Sequence, residues 1–295
     1  MSLLHSIFVL LLSSFFIGCQ TSSEIKNDGN QVVHKDDHTF SNTEEVRTKH
    51  LHLDLAVDFE NKNLSGVARH TMENTGVEKA IFDVKALNIS KITIGKDGNE
   101  KETTYSLGKE DELLGQPLTV AIEKTTQQVN IYYSTTNNCE ALDWLEPALT
   151  GGKEFPFMYS QGQAILTRSW IPVQDSPTNR ITYSADLKAP KGLMAIMSAN
   201  NPKEVSEDGQ YHFEMKQAIP CYLIAIAVGD IRYAALSDNC GVYAEPGMID
   251  ACAAEFVDLP KKMENAERLF GPYQCDQYDV IVLPYSFPFG GMENP

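Results

Sequence analysis

From His50 onward apolar and polar residues alternate, and a period of two restricts this part of the chain to half-buried β-strands. Leu51, Leu53, Leu55, Val57 and Phe59 fall on one side of such a strand, with His50, His52, Asp54, Ala56 and Asp58 on the other. The same pattern returns at Leu118, Val120 and Ile122, at Val129, Ile131 and Tyr133, at Ile181, Tyr183, Ala185 and Leu187, and at Tyr211, Phe213 and Met215. Turn signals separate these runs: Lys96-Asp97-Gly98-Asn99, Asn137-Asn138 and Glu207-Asp208-Gly209. Short strands joined by turns, with no amphipathic helix between them, predict a mainly β fold: an antiparallel β-sandwich or large twisted sheet over residues 46–238. Cys221 to Val228 is continuously apolar and predicts a strand buried on both faces.

After Gly241 the period changes. Met248, Cys252 and Phe256, then Met263, Ala266, Leu269 and Phe270, recur at three and four, with Pro260 dividing two helices and Gly271-Pro272 stopping the second. A domain boundary is therefore expected near residues 236–242, and residues 239–295 read as the opening of an α/β domain. Two helices and the apolar run Asp279 to Leu283, roughly 55 residues, are too few for a comfortable core of their own.

The front end has another character. Ile7 to Leu12 is an apolar run followed by Ser13 to Cys19, and residues 1–18 fit a cleaved signal peptide rather than a spanning helix. Phe16-Ile17-Gly18-Cys19 resembles a bacterial lipobox, with Phe16 in place of the usual Leu and no Lys or Arg ahead of it. That resemblance implies a lipid on Cys19 and an extracytoplasmic protein anchored to a membrane of the bacterial cell envelope. The polar stretch 19–45 cannot bury enough surface to order itself and is expected to be a disordered tether.

Chemistry concentrates at the other end. Pro284 to Phe289 forms an aromatic loop, Gly290-Gly291 gives a platform that a ligand backbone can approach, and Glu293 offers one carboxylate beside it. Such a platform suits an extended peptide, and a fixed carboxylate can pair with a peptide's α-ammonium. Alone, Gly-Gly-x-Glu is more often a surface turn. In its context, Pro284-Tyr-Ser-Phe-Pro-Phe-Gly-Gly-Met-Glu-Asn-Pro295 resembles the exopeptidase motif of the zinc aminopeptidases related to aminopeptidase N, and within them the leukotriene hydrolase branch. Two further blocks agree in order: Tyr159-Ser160-Gln161-Gly162-Gln163-Ala164 with Trp170 to Pro177 and Arg180 to Asp186, and Ile219 to Ala225 with Val228-Gly229.

The resemblance implies an N-terminal β-domain followed by the truncated start of a thermolysin-like catalytic domain. It implies that Glu293 pairs with the substrate's free α-amino group. Phe289, Gly290, Gly291, Met292 and Asn294 would line the first side-chain pocket or offer backbone, and Gln161, Gly162 and Gln163 would reach over from the β-domain as a substrate-contacting block on one face of a strand or extended loop. Gly162 departs from a Cys, and Phe289 from a Tyr, at positions of this branch, which puts epoxide chemistry in doubt more than peptide hydrolysis. The cofactor implied for the parent enzyme is zinc, held by His-Glu-x-x-His and a further Glu. None of the seven histidines builds that motif, so the ligands are expected past Pro295 and the chain as given is predicted inactive. His50 and His52 read as solvent-facing positions on an amphipathic strand.

A net charge of −16 argues against nucleic acid as a partner, and the resemblance implies peptides with a free N-terminus as the expected one. Besides Cys19 the chain has Cys139, Cys221, Cys240, Cys252 and Cys275, an odd count in which Cys240 and Cys252 are near enough in sequence to suggest a disulfide. Two other functions stay open: a non-catalytic lipid-anchored protein that binds peptides or another protein, and a leukotriene-type epoxide hydrolase.

Overall fold

The computed structural model describes residues 36–96, 98–288 and 290–294, so the expected signal segment, Cys19 and Phe289 lie outside the described residues. Its largest sheet has seven strands in the order β13 (Gln210–Pro220), β11 (Arg180–Lys188), β1 (Val46–Asp58), β2 (Asn63–Asn74), β8 (Gln128–Thr135), β4 (Leu87–Ile94) and β5 (Lys101–Glu102). All neighbours are antiparallel except β1 and β11, which run parallel with His50 opposite Thr182 and Leu55 opposite Leu187. As the alternation predicts, Leu51, Leu53, Leu55, Tyr183, Leu187, Tyr211 and Phe213 are buried. Gly66, opposite Leu55, has φ +153, and a Cβ there would collide with the Asp54 carbonyl, so close strand approach requires glycine.

A second sheet, in the order β12 (Met194–Met197), β14 (Ile226–Gly229), β10 (Phe157–Ser160) and β9 (Leu142–Leu145), shares one hydrophobic cluster with the first. Met158, Tyr159, Ile196 and Val228 meet Leu51, Leu53, Tyr183 and Phe213 there. The third sheet, β3 (Lys79–Val84), β7 (Gln116–Ala121) and β6 (Tyr105–Leu107), closes a separate cluster in which Phe82, Leu118 and Val120 join Ile92, Val129 and Ile131. Two sheets facing across a shared apolar layer is the simplest way to bury one side of so many alternating strands.

Sheet membership changes after β14. A three-stranded sheet, β15 (Arg232–Ser237), β16 (Cys240–Ala244) and β17 (Tyr278–Ile281), has an antiparallel pair followed by a parallel one, and the turn at 238–239 lies within its hairpin. Between β16 and β17 run α1 (Ile249–Glu255) and α2 (Leu259–Phe270). Cys252 of α1 packs on Val242 and Ala244, whereas α2 buries none of its residues. Gly271, with φ +94, ends α2 by donating its N–H to the Glu267 carbonyl at 2.8 Å. Residues 36–295 make one compact unit.

Four expectations need correction. Cys221 to Val228 is not one strand: Cys221–Leu223 forms a 3₁₀ turn, closed by the Ile224 N–H on the Cys221 carbonyl at 2.9 Å, and β14 starts only at Ile226. The polar residues 36–45 do not all belong to a loose tether. Phe40 N–H donates to Asp83 at 2.7 Å, the Ser176 hydroxyl donates to Asp36 at 2.7 Å, and the His38 carbonyl accepts from Arg168 at 2.8 Å, so polar bonds hold this segment where apolar burial does not. Cys240 and Cys252 both carry free thiols, since Cys252 points into the cluster with Val242 and Ala244 and Cys240 lies outside it. His50 and His52 are half-buried, because the hydroxyls of β11 cover them: His50 Nδ1 lies 2.8 Å from Thr182 Oγ1 and His52 Nδ1 lies 2.9 Å from Ser184 Oγ.

Candidate functional site

The C-terminal loop starts from a secured strand. β17 pairs with β16, and one residue later Val282 N–H still donates to the Tyr243 carbonyl at 2.8 Å. Pro284 is buried, and Phe287 N–H closes a turn on its carbonyl at 3.0 Å. Ile281, Leu283 and Phe287 lie against the main hydrophobic cluster, while Tyr285 is 81% exposed. Gly290 and Gly291 stand in open space, with no heavy atom within 4 Å of an added Cβ. Met292 and Asn294 are half-buried, and Glu293 is exposed with no ion pair among the described residues. Its carboxylate is free to meet a cation from solution.

The second block follows β10. Gln161 and Gln163 do not share the face of a strand, since β10 ends at Ser160 and Gln163 already lies in a turn. Gln161 is half-buried and tied by its N–H to the Ala141 carbonyl at 2.8 Å, while Gln163 is exposed. The amide oxygen of Gln161 is buried and accepts no hydrogen bond. Between them, Gly162 is fixed by packing: a Cβ would come within 2.6 Å of Thr167 Oγ1 and 2.7 Å of the Tyr222 carbonyl. A cysteine at this position has no room unless the 3₁₀ turn moves.

A ring contact joins the two blocks. Tyr159, in the middle of β10, meets Phe287 edge to face, with centroids 5.5 Å apart and planes at 77°. Directly across β9 stands Asp143. Burial pushes the Tyr159 hydroxyl up to about 12, and the nearby negative charge of Asp143 adds to the shift. Ser286, the residue before Phe287, has a buried hydroxyl with no partner.

Sequence reading missed what supports this block. Arg168 is wholly buried, its Nε 2.9 Å from Asp175 Oδ2, with the Leu114 and His38 carbonyls accepting from its other nitrogens at 2.9 and 2.8 Å. Asp83, also fully buried, accepts from Phe40 N–H, Asp175 N–H and the Thr39 hydroxyl; burial raises its pKa and Arg168 opposes the rise. A second tie is Glu245, whose carboxylate accepts from Gly151 N–H at 2.9 Å and clips the β9–β10 loop to the end of β16. The available signal was an arginine and an aspartate bracketing the apolar run Trp170 to Val173.

Residues 34–223 match the Peptidase M1 N-terminal domain. The chain belongs to the M1 peptidase family. Leukotriene A-4 hydrolase of Xenopus laevis is 35% identical over 272 residues, which are 88% of this chain and 44% of that protein. Leucine aminopeptidase 2 of Yarrowia lipolytica is 35% identical over 267 residues, 88% of this chain and 40% of that one. Native leukotriene A4 hydrolase from Saccharomyces cerevisiae superposes with a TM-score of 0.81 at 30% identity, over 89% of this chain and 41% of its own. An M1 zinc metallopeptidase from Deinococcus radiodurans, 18% identical with a TM-score of 0.62 over 81% of this chain, shares the fold. The chain spans less than half the length of the curated relatives it matches.

Zinc is the metal that such M1 relatives imply, and the described residues do not fit it. Among them no group of three or more His, Cys, Asp or Glu is disposed to hold a metal ion. His50 and His52 spend their nitrogens on Thr182, Ser184 and Asp186.

Proposed function

We propose that this chain is the substrate-binding front part of an M1 zinc aminopeptidase that removes N-terminal residues from peptides. The Tyr159–Phe287 contact supports the reading, because it joins the strand that leads to Gln161 to the loop that leads to Glu293. Glu293 pairs with the α-ammonium of the substrate, and Gly290, Gly291, Met292 and Asn294, with Phe289 before them, offer backbone and side-chain contact. Gln161 and Gln163 meet the peptide from the β-domain, Gln161 by turning outward the amide oxygen that is buried and unpartnered in the free chain. A mutant of the Deinococcus radiodurans metallopeptidase has been solved with the substrate Tyr-Ser-Ala, which supports a peptide as ligand class.

Holding the terminal ammonium fixes the register of the peptide, so the first peptide bond is presented and internal bonds are not. The described residues supply no metal ligand set, and their part is to bind and orient the peptide. It reaches the cell envelope through a lipid on Cys19, a proposal that rests on the sequence alone.

The test is Glu293→Gln in the full-length protein, with kcat/KM measured on an aminoacyl substrate and its N-acetylated counterpart. A charge pair inside a desolvated cleft contributes on the order of 2–5 kcal/mol, so the free-amine substrate should lose roughly 30-fold or more while the acetylated one changes little. A loss below about threefold would refute the carboxylate clamp and leave Gly290 to Glu293 as a Gly-rich surface turn.

A further inference from the structure

The exopeptidase loop needs a fixed distance to the Gln161 block if both are to hold one peptide, and most of that loop is poorly held. Tyr285 is 81% exposed, and Gly290 and Gly291 touch nothing that an added Cβ would meet. Phe287 is the side chain that turns back, and it meets Tyr159.

Tyr159 is built as a rigid support. It is 2% exposed, and its backbone pairs with Asp143 on one side and Ala227 on the other, so its ring rises from an interior strand. Polar atoms without partners flank the contact: Gln161 Oε1, two residues after Tyr159, and Ser286 Oγ, one residue before Phe287.

We propose that Tyr159 is a positioning residue whose ring sets the exopeptidase loop against the Gln161 block. The inference rests on the peptide-binding reading above and adds a residue that touches no substrate. An edge-to-face pair is sensitive to loss of either ring and tolerant of loss of the hydroxyl.

Two measurements on the full-length protein test it: amide hydrogen exchange across residues 285–294 without substrate, and KM and kcat for an aminoacyl substrate. Tyr159→Leu should speed exchange and raise KM, each by about tenfold, with kcat changed by less than about threefold, and Tyr159→Phe should restore both to within about threefold. Phe287→Leu, altered at a half-buried loop position, should reproduce the Tyr159→Leu result without touching β10. Exchange or KM within about twofold of wild type in both leucine variants would overturn the proposal. Faster exchange in a protein whose wild type shows no aminopeptidase activity would leave the contact standing, refute the peptidase reading and remove the positioning role with it.

Discussion

His70 offers a quantitative test of how the β-domain holds the substrate block. Its ring is wholly buried on β2, 4.7 Å from Phe82, with Nδ1 3.2 Å from the Thr48 hydroxyl. Thr48 N–H in turn donates to Gln174 at 2.8 Å, inside the segment that follows Arg168. Burial holds the imidazole neutral and pushes its pKa from 6.5 down to about 3, with only the Pro172 carbonyl acting the other way. In the unfolded chain the same group takes up a proton near pH 6.5. Between pH 6.5 and about 3 the unfolded state therefore binds the extra proton, and stability present above pH 6.5 is lost as the pH falls.

With those two pKa values, the loss from pH 7 to pH 5 is about 2 kcal/mol, close to 1.4 kcal/mol for each pH unit below 6.5. His70→Gln removes the titration, so its stability gap to wild type should narrow by about 2 kcal/mol over that range. Urea unfolding of both proteins at pH 7, 6 and 5 measures the gap. Burial lowers the pKa of His50 and His52 and raises that of Asp83, but these groups are common to both proteins and cancel in the difference. Profiles that stay parallel to within about 0.5 kcal/mol would refute a neutral buried His70.

Gly162→Ala should destabilise by roughly 1–3 kcal/mol, about 2–4 °C of Tm per kcal/mol, because its Cβ meets Thr167 and the Tyr222 carbonyl; an unchanged Tm would deny the close packing. Arg168→Leu strands the buried carboxylates of Asp83 and Asp175 and should cost about 3–5 kcal/mol in chemical denaturation. The same variant should expose residues 36–42 to limited proteolysis, and full protection of that segment would show that Arg168 does not anchor it. Cys19→Ser should move the protein from the membrane fraction to the soluble fraction if a lipid on that cysteine is the anchor. Unaltered membrane association would discard the lipobox reading.

The strands were legible wherever one face is buried, since Leu51, Tyr183 and Phe213 each sit in a period of two that water enforces. Both helices were legible for the same kind of reason, with Gly271 ending α2 as expected and Pro260 lying in the first turn of α2, after the break at 256–258. What escaped was non-local. The parallel pairing of β1 with β11 joins residues more than a hundred apart, and no local pattern encodes a partner. Apolarity alone misread Cys221–Leu223, where Thr167 Oγ1 donates to the Cys221 carbonyl at 3.3 Å and helps hold a turn. Residues 36–45 looked unfoldable because their ordering comes from single polar bonds to Asp83, Arg168 and Ser176. For the site, the motif named Glu293 and Gln161, but the ring beneath them, Tyr159, needed coordinates.

Unpaired polar atoms do not all mark a ligand. Trp170 Nε1 and Tyr133 Oη are as unpartnered as Gln161 Oε1, yet those side chains are 0% and 3% exposed within the main cluster, where no ligand could reach them. Gln161 and Ser286 belong to half-buried residues beside the contact between the two blocks, and although their orphan atoms are as buried as the others, a turn of the side chain would bring either atom to the surface. Leaving a buried acceptor unsatisfied costs about 1–3 kcal/mol, a large fraction of the stability of a single domain. Around the same block the fold satisfies a more demanding set of groups, placing Arg168 against Asp175 and against two carbonyls. Asn179 Oδ1 is a second buried amide oxygen without a partner near this set, so the fold bears this cost in more than one place. A bound peptide N–H would offset that cost, so affinity and stability are linked at Gln161: ligand binding should stabilise the wild type more than a Gln161→Leu variant, whose free form has no such group to satisfy.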